Sequence, residues 1–289
     1  MRVFTIIGPA AVAMMSFAMM TQLAFAQGAQ GGGRGRGPVD PLLNGNPYVS
    51  PQEVKGGSVP RLPDGKPDLQ GAWLQRTIGN SMSMYSIEKT TGHPKTSIPA
   101  TAGVIVDPPD GQIPYQPWAR QKQIDIGENH MIEESDARCL LGGLPHQMYT
   151  PFGMRILQPP GYVVMTWEFM HAYRIIPMDG RPHVDPSVKL FEGDSRGKWD
   201  GDTLVIDVTN QVGRTWIDQS ANLHSDAIHV VERITPIDSN NLQYEATIDD
   251  SKMYTRPWTI RYFYSRIPDP RFEHLEFACI EGEVDQSKH

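Results

Sequence analysis

Two Asp-Gly pairs, at positions 179–180 and 200–201, lie between stretches of strand-forming residues. An Asp-Gly pair in that setting predicts a β-hairpin, because the tight turn needs residues that tolerate positive φ. After the second pair, Leu204, Ile206 and Val208 alternate with other residues and supply one apolar strand face. The pattern therefore predicts an antiparallel β core.

Other stretches with strand composition follow one another at short intervals, without helical repeats between them. This order favours an antiparallel barrel or sandwich over a parallel α/β design, and we expect an all-β, lipocalin-like antiparallel barrel. One helix is predicted at 118–129, and the irregular section 77–143 is expected to wrap the barrel or cover one mouth. The predicted strands are 161–177, 202–209, 227–237, 242–249, 258–264 and 274–279.

The first residues predict export. Arg2 precedes an apolar run, and Ala24 and Ala26 form a small-x-small cleavage signal. We expect a signal peptide at 1–26, a flexible linker at 27–60 and a single barrel domain at 61–289. The predicted location is periplasmic or secreted, without a stable membrane span.

Composition narrows the range of partners. The net charge is −7 without long runs of one sign, which argues against nucleic acid as a partner. We expect a small-molecule ligand or substrate, and the sequence leaves the oligomeric state open. The two cysteines, Cys139 and Cys279, predict a disulfide if the compartment is oxidising.

Several short motifs occur together between residues 178 and 282. They are M-D-G-R-P-H, G-D-S-R-G-K-W-D-G-D-T-L-V-I-D-V-T-N, S-D-A-I-H-V-V-E-R, Y-T-R-P-W-T and F-A-C-I-E-G. The chain thereby resembles a widespread family of exported bacterial proteins of unassigned function, marked by W-x-G-D-T-L-V-x-[DE]. The resemblance implies no activity and no catalytic residues. Ile280 stands where relatives have a histidine, so no role of that histidine carries over.

Motifs for several common chemistries are missing from the sequence. It contains no G-x-S-x-G, H-E-x-x-H or C-x-x-C, and no glycine-rich phosphate loop that opens a helix. Hydrolase, zincin, thioredoxin and nucleotide-binding interpretations lose their usual support. We expect no cofactor.

The chemistry-bearing residues are polar groups on neighbouring predicted strands. Rigid strands can hold such groups in fixed geometry for general acid–base catalysis. Either of two histidines is a candidate base, a carboxylate is its partner or the acid, and an arginine is a clamp for an anionic group. The catalytic candidates are His171, His229, Glu168, Glu232 and Glu245, and the substrate-binding candidates are Arg174, Arg233, Trp167 and Tyr244.

The strand period does not decide which of these residues face the interior. Glu232 alternates with His229 and Arg233, so the two sets point to opposite faces of one strand. One set is expected to line a cavity, and the other is expected to be solvated. A metal held by His171, His224, His229 and Glu168 is an alternative, but their spacing matches no strong ligand pattern, and no metal is expected.

Two functions fit these observations. The first is an exported, cofactor-independent lyase, isomerase or hydrolase that acts on a small organic, aromatic or glycosidic molecule. The alternative is a non-catalytic periplasmic binding protein for a small hydrophobic ligand, which the aromatic content of the strands also favours.

Overall fold

The computed structural model describes residues 56–76, 103–150 and 152–277. Regular structure in these ranges is nearly all β-strand, with a single α-helix, α1. The strands are β1 (Gly71–Gln75), β2 (Ile105–Asp107), β3 (Met154–Leu157), β4 (Tyr162–Trp167), β5 (Tyr173–Pro177), β6 (Asp194–Asp200), β7 (Thr203–Thr209), β8 (His229–Pro236), β9 (Asn241–Asp249) and β10 (Trp258–Arg266), and α1 is Pro117–Asn129.

Nine strands form a nearly closed antiparallel barrel in the order β5-β4-β3-β1-β10-β9-β8-β7-β6, which confirms the predicted fold class. The early strand β1 joins two meanders, because Trp73 is paired with Met154 of β3 and with Arg266 of β10. The short strand β2 pairs with β10 beside this path. The end strands β5 and β6 have no backbone ladder with each other within the described ranges. We call this junction the seam.

Alternation along the strands defines one core inside the barrel. In β8, Val230, Glu232 and Ile234 are buried, whereas the residues between them are partly exposed. The same alternation runs through β9, where Tyr244 is fully buried. Because successive side chains point to opposite sides of a strand, the Glu232 set faces the interior.

The predicted strand at 161–177 is wrong in one respect, because it is a hairpin of β4 and β5. The chain reverses between them, where Met170 and His171 adopt positive φ values of 56° and 38°. This turn changes which residues share a face. Trp167 and Arg174 are both buried, whereas Ile175 is 55% exposed.

The two Asp-Gly pairs have different outcomes. The pair at 200–201 joins β6 to β7, with Asp200 paired to Thr203, as predicted. The pair at 179–180 does not make a hairpin, because residues 178–193 separate β5 from β6 without pairing them. We call residues 178–193 the seam loop.

The predicted helix is confirmed by α1, which buries Ala119, Gln123 and Ile126. After it, residues 143–150 enter the barrel region and are buried. The Tyr149 ring packs edge-on against inward-facing Tyr262, with centroids 5.9 Å apart. The described part of the predicted wrap therefore covers barrel residues, and residues 77–102 lie outside the described ranges.

Some predictions fall on residues that the structure does not describe. These include the signal peptide and most of the linker, so the domain boundaries stay predictions. The predicted strand 274–279 is not observed up to Phe277, which makes a single bridge with Phe169. Among the described residues, no helix has the length and apolar character needed to cross a membrane.

Two glycines at the ends of the seam loop provide a test of its packing. Both have positive φ, +74° at Gly180 and +66° at Gly193. A Cβ at Gly180 would meet nothing within 4 Å, whereas a Cβ at Gly193 would lie 2.7 Å from the Thr209 carbonyl oxygen. Only Gly193 therefore combines a left-handed backbone with a close approach to β7.

We predict that Gly180→Ala lowers the free energy of unfolding by about 1–2 kcal/mol, from backbone strain alone. Gly193→Ala should lower it by a further ~1–3 kcal/mol, because β7 must move away from the new methyl group. Urea unfolding of both variants measures the difference. Equal losses in the two variants would show that the close approach to Thr209 has no energetic consequence.

Candidate functional site

The barrel wall separates the predicted site residues into two groups. Trp167, Arg174, Glu232 and Tyr244 are buried inside. The remaining candidates, His171, His229, Arg233, Glu245 and Glu168, do not join this interior group. Their catalytic and binding roles stay predictions.

The interior group is organised around a buried ion pair. Arg174 on β5 donates two hydrogen bonds to Glu232 on β8, at 3.2 Å to Oε1 and 2.6 Å to Oε2. The Tyr244 hydroxyl donates to the same Oε1 at 2.7 Å. Arg174 also donates to Ser195 Oγ on β6 at 2.9 Å, across the seam. Burial disfavours its charge, but Glu232 outweighs that effect and raises the pKa of Arg174.

This pairing limits the atoms that Arg174 can offer to a substrate. Its Nη1 and Nη2 atoms contact Glu232 and Ser195, whereas Nε has no hydrogen-bond partner in the described ranges. Arg174 lines the cavity described below, and its role as a clamp for a substrate anion stays a prediction. Ser195 was not among the residues predicted from the sequence, because its position depends on how β6 packs against β5.

Three candidates, His229, Arg233 and Glu245, lie on the outer face of the barrel wall and contact neighbouring surface groups. His229 Nε2 lies 3.2 Å from both carboxylate oxygens of Asp207. Arg233 donates to Asp200 at 2.8 Å, and Glu245 accepts from Arg261 at 2.6 Å. These three pairs lie on the opposite face of the wall from Glu232. The structure therefore does not bring His229 or Glu245 together with Glu232.

The turn between β4 and β5 holds the last two candidates. The Glu168 carboxylate accepts backbone hydrogen bonds from Gly153 at 2.8 Å and from Leu275 at 3.0 Å, so it joins two chain segments. His171 has a side chain that is 62% exposed, with Nδ1 3.9 Å from Glu276. His171 nevertheless lies at the rim of a cavity.

That cavity, which we call the seam cleft, opens where β5 and β6 are not paired. Its volume is about 750 Å³, within the usual range for small-molecule sites. Apolar side chains provide much of its lining, and polar groups of β5, β6 and the seam loop provide the rest. The lining residues that matter below are Cys139, Met170, Ile175, Leu190, Phe191, Arg174, Glu192, Asp194 and Ser195.

Glu192 is the most perturbed acid that lines the cleft. It is 8% exposed, and its Oε1 accepts a hydrogen bond from the Gly143 amide at 3.2 Å. Its Oε2 has no hydrogen-bond partner within the described ranges. Burial raises the pKa of Glu192 to about 7, although Arg174 and the Gly143 amide both act to lower it.

The sequence analysis did not include Glu192 in the candidate site. The sequence gives only a weak indication that Glu192 is buried. Glu192 follows Leu190 and Phe191 and precedes a glycine and a strand. That context is compatible with burial, but only the open seam shows that the carboxyl group lines a cavity.

A second cluster of titratable groups lies in the segment before the barrel meander. Glu134, Asp136 and His146 are all buried, and one donor atom from each lies within 4.8 Å of the others. Burial and the nearby Asp136 together raise the pKa of Glu134 to about 7. Burial likewise raises the pKa of Asp136 to about 7 and lowers the pKa of His146. The sequence analysis named none of these three residues.

The metal ligands considered from sequence do not assemble. His224 is buried, with Nε2 2.7 Å from Thr215 Oγ1 and Nδ1 2.8 Å from the Ser225 carbonyl oxygen. His171 and Glu168 lie at the β4–β5 turn, and His229 contacts Asp207 on the outer face. Among the described residues, the grouped donors are those of the Glu134 cluster.

The cysteine prediction is only partly covered by the structure. Cys139 lines the seam cleft, and no free cysteine occurs in the described ranges. Cys279 lies outside those ranges. The Cys139–Cys279 disulfide therefore stays a prediction.

Comparison with known proteins does not assign the chain to a family. No family model matches it, and no curated protein is significantly similar to it. The resemblance to exported bacterial proteins therefore stays a prediction.

The ion pair can be tested by a double-mutant cycle. Arg174→Met and Glu232→Gln should each lower the free energy of unfolding by about 3–5 kcal/mol, because each leaves a buried charge without its partner. The double variant should lose less than the sum of the single losses, with a coupling energy of ~2–3 kcal/mol. Guanidinium unfolding measures all four proteins. Strictly additive losses would contradict an energetic coupling.

The raised pKa of Glu192 predicts a pH dependence of stability. Unfolded Glu192 releases its proton near 4.5, whereas the folded protein keeps it until about 7. Between these two pKa values the folded state binds more protons than the unfolded state. The contribution of Glu192 to the free energy of unfolding therefore falls as the pH rises from 4.5 to about 7. The fall is on the order of 3 kcal/mol.

Other buried groups also titrate, so the test is the difference between wild type and Glu192→Gln. Glu134 and Asp136 have the same sign as Glu192, whereas the lowered pKa values of His146 and His224 have the opposite sign. Denaturant unfolding from about pH 4.5 to about pH 7.5 should show wild type losing stability relative to Glu192→Gln. Parallel pH profiles for the two proteins would contradict the raised pKa.

Proposed function

We propose that the protein is an exported enzyme that acts on a small organic molecule in the seam cleft by general acid–base chemistry. Glu192 is the proton-transferring group in this proposal. The observation that carries it is a buried carboxyl group beside a cavity, with one oxygen held by Gly143 and a pKa of about 7. Export is supported by the N-terminal sequence pattern.

A pKa near neutrality suits both directions of proton transfer. At that pH the protonated and ionised forms of Glu192 coexist, so the group can accept a proton and return it. General acid–base groups of this kind contribute about 10²–10⁴ in rate. One group that takes and returns a proton suits an isomerase or a lyase better than a hydrolase, which also needs an activated water.

The neighbours of Glu192 explain how this pKa is maintained. Burial alone would favour the neutral acid still further, and the Arg174 charge limits that rise. Arg174 is therefore a positioning and tuning residue, held by Glu232 and Ser195 rather than by a substrate. The Gly143 amide fixes one carboxylate oxygen and leaves Oε2 for proton transfer.

Part of the cleft lining also favours the second candidate function, a binding protein for a small hydrophobic ligand. Met170, Ile175, Leu190 and Phe191 provide apolar surface along the seam. An apolar ligand could bind there without chemistry. In that case Glu192 would be a polar anchor, and its neutral isostere would retain binding.

The experiment starts with a thermal-shift screen of aromatic acids, hydroxylated aromatics and glycosides. Each stabilising compound is then followed by NMR in D₂O with wild type, Glu192→Gln and Glu245→Gln. Glu245 is the matched control, because it pairs with Arg261 on the outer face. We expect deuterium incorporation or conversion by wild type and Glu245→Gln, and a loss of about 100-fold or more in Glu192→Gln.

Two outcomes would redirect the proposal. Full turnover by Glu192→Gln would remove Glu192 from the chemistry. Compounds that bind wild type and Glu192→Gln equally well, and that neither protein converts or deuterates, would support the binding protein instead.

A further inference from the structure

Glu134, Asp136 and His146 lie in one segment but on separate turns. Asp136 begins the short 3₁₀ turn Asp136–Arg138, and His146 begins the 3₁₀ turn His146–Tyr149. The chain folds back between them, which brings His146 Nε2 to 3.5 Å from Asp136 Oδ2. Tetrahedral ligands at the usual metal bond lengths of about 2.0–2.2 Å stand roughly 3.3–3.6 Å apart. The closest pair already has that spacing.

His146 provides the second, independent observation. It is 0% exposed, and neither ring nitrogen makes a well-formed hydrogen bond with the described part of the chain; the Trp216 backbone acts on the ring only weakly. A buried imidazole is costly when its polar nitrogens are poorly satisfied, because they have lost their hydration. The ring is directed at the Asp136 carboxylate, and a neutral imidazole is the form that binds metals.

Glu134 adds a carboxylate that is also buried. It is 2% exposed, and it accepts hydrogen bonds from Ser135 Oγ at 3.2 Å and from the Ala137 amide at 2.8 Å. The charged side chains that act most strongly on it are Asp136 and His146, with no lysine or arginine among those described. Buried charges are normally paired or bind a metal, and a bound cation would offset the cost of burying the Glu134 and Asp136 carboxylates side by side.

We propose that Glu134, Asp136 and His146 bind a divalent first-row transition ion, with Zn²⁺ as the ion that best fits the mixed nitrogen and oxygen donors. One imidazole and two carboxylates suit such an ion better than Mg²⁺ or Ca²⁺, which prefer oxygen ligands alone. Movements on the order of 1 Å would bring the three donors to bonding distance. The site differs from the expectation of no metal that the sequence supported.

Tyr149 fits the same site. Its ring stacks on His146, with centroids 5.7 Å apart and planes at 30°. Its hydroxyl is buried and makes no hydrogen bond in the described ranges. Three protein ligands leave a fourth position open to water, and Tyr149 is a further buried polar side chain beside His146.

The role of the ion is to fix the segment rather than to take part in proton transfer. It would tie the turn at Glu134 to the buried turn at His146. Gly143, whose amide holds Glu192, lies between them in sequence. The metal site and the acid–base site share no residue, although Asp136 acts electrostatically on Glu192. Metal content can be measured without a substrate.

The test begins with elemental analysis of protein purified without chelators. Protein stripped with a chelator is then titrated with Zn²⁺, and with Mn²⁺ and Fe²⁺ for comparison, by calorimetry and by melting temperature. We expect one ion per chain and a melting temperature that rises until one equivalent of Zn²⁺ is bound. Co²⁺ substitution should give the visible absorption of a four-coordinate nitrogen and oxygen site.

Variants locate the bound ion. His146→Gln and the isosteric Glu134→Gln should each weaken Zn²⁺ binding by at least about 100-fold, because each removes a ligand. His224→Gln is the matched control, since this buried histidine is held by Thr215 and Ser225 outside the cluster. It should bind Zn²⁺ as tightly as wild type.

The proposal is overturned if wild type neither carries nor binds any of the three ions. It is also overturned if Glu134→Gln and His146→Gln bind Zn²⁺ as tightly as His224→Gln, because the ion would then lie elsewhere. If His146→Gln does not fold, Glu134→Gln and the wild-type titration decide the outcome.

Discussion

Arg174 links β5 to β6 at the seam, the one junction between neighbouring described strands of the barrel that has no backbone ladder. Its guanidinium donates to Ser195 across the seam and to Glu232 across the interior. An unpaired strand edge normally invites association with other chains. Here a buried charged side chain links the two edges, so the wall can open into a cleft without separating.

The same guanidinium sets the electrostatics of the cleft. Burial makes ionisation of Glu192 unfavourable, and the nearby positive charge restores part of the lost stability of the carboxylate. The balance places the pKa of Glu192 at about 7 rather than far above it. Wall closure and acid–base tuning therefore depend on one residue, whose own charge is maintained by Glu232.

Most of the fold could be predicted because it depends on local patterns. In β7, Leu204, Ile206 and Val208 recur at every second residue, burial alternates along β8, and the Asp-Gly pair at 200–201 fixes where the chain turns. Period-two alternation is enough to identify such strands. It also places Glu232 and Arg233 on opposite faces of one strand.

The site could not be predicted because it depends on one unmarked turn. The reversal at Met170 and His171 contains neither glycine nor proline, although both residues adopt positive φ. Interpreting 161–177 as one strand placed Ile175 with Trp167 on one face and Arg174 on the other. A register error of this kind exchanges the faces of a strand, and it concealed the contact of Arg174 with Glu232.

The Glu134 cluster was missed for a different reason. Its members come from an irregular segment with no period, and His146 lies beyond two intervening turns. Nothing in local sequence relates residues that meet only after such a segment folds back. Their proximity is a tertiary property, and only the burial of all three residues reveals it.

The two chain segments that meet at the Glu192 carboxyl group differ in how firmly they are held. Leu144 exchanges two buried hydrogen bonds with the Gln211 side chain, at 2.7 and 3.0 Å, which fixes the chain beside Gly143. The seam loop, which carries Glu192 near its end, is mostly exposed between residues 181 and 190. A fixed partner preorganises the Glu192 carboxyl group, as catalytic geometry requires. Any motion that admits a ligand to Glu192 should therefore come from the seam loop rather than from the buried segment that holds Gly143.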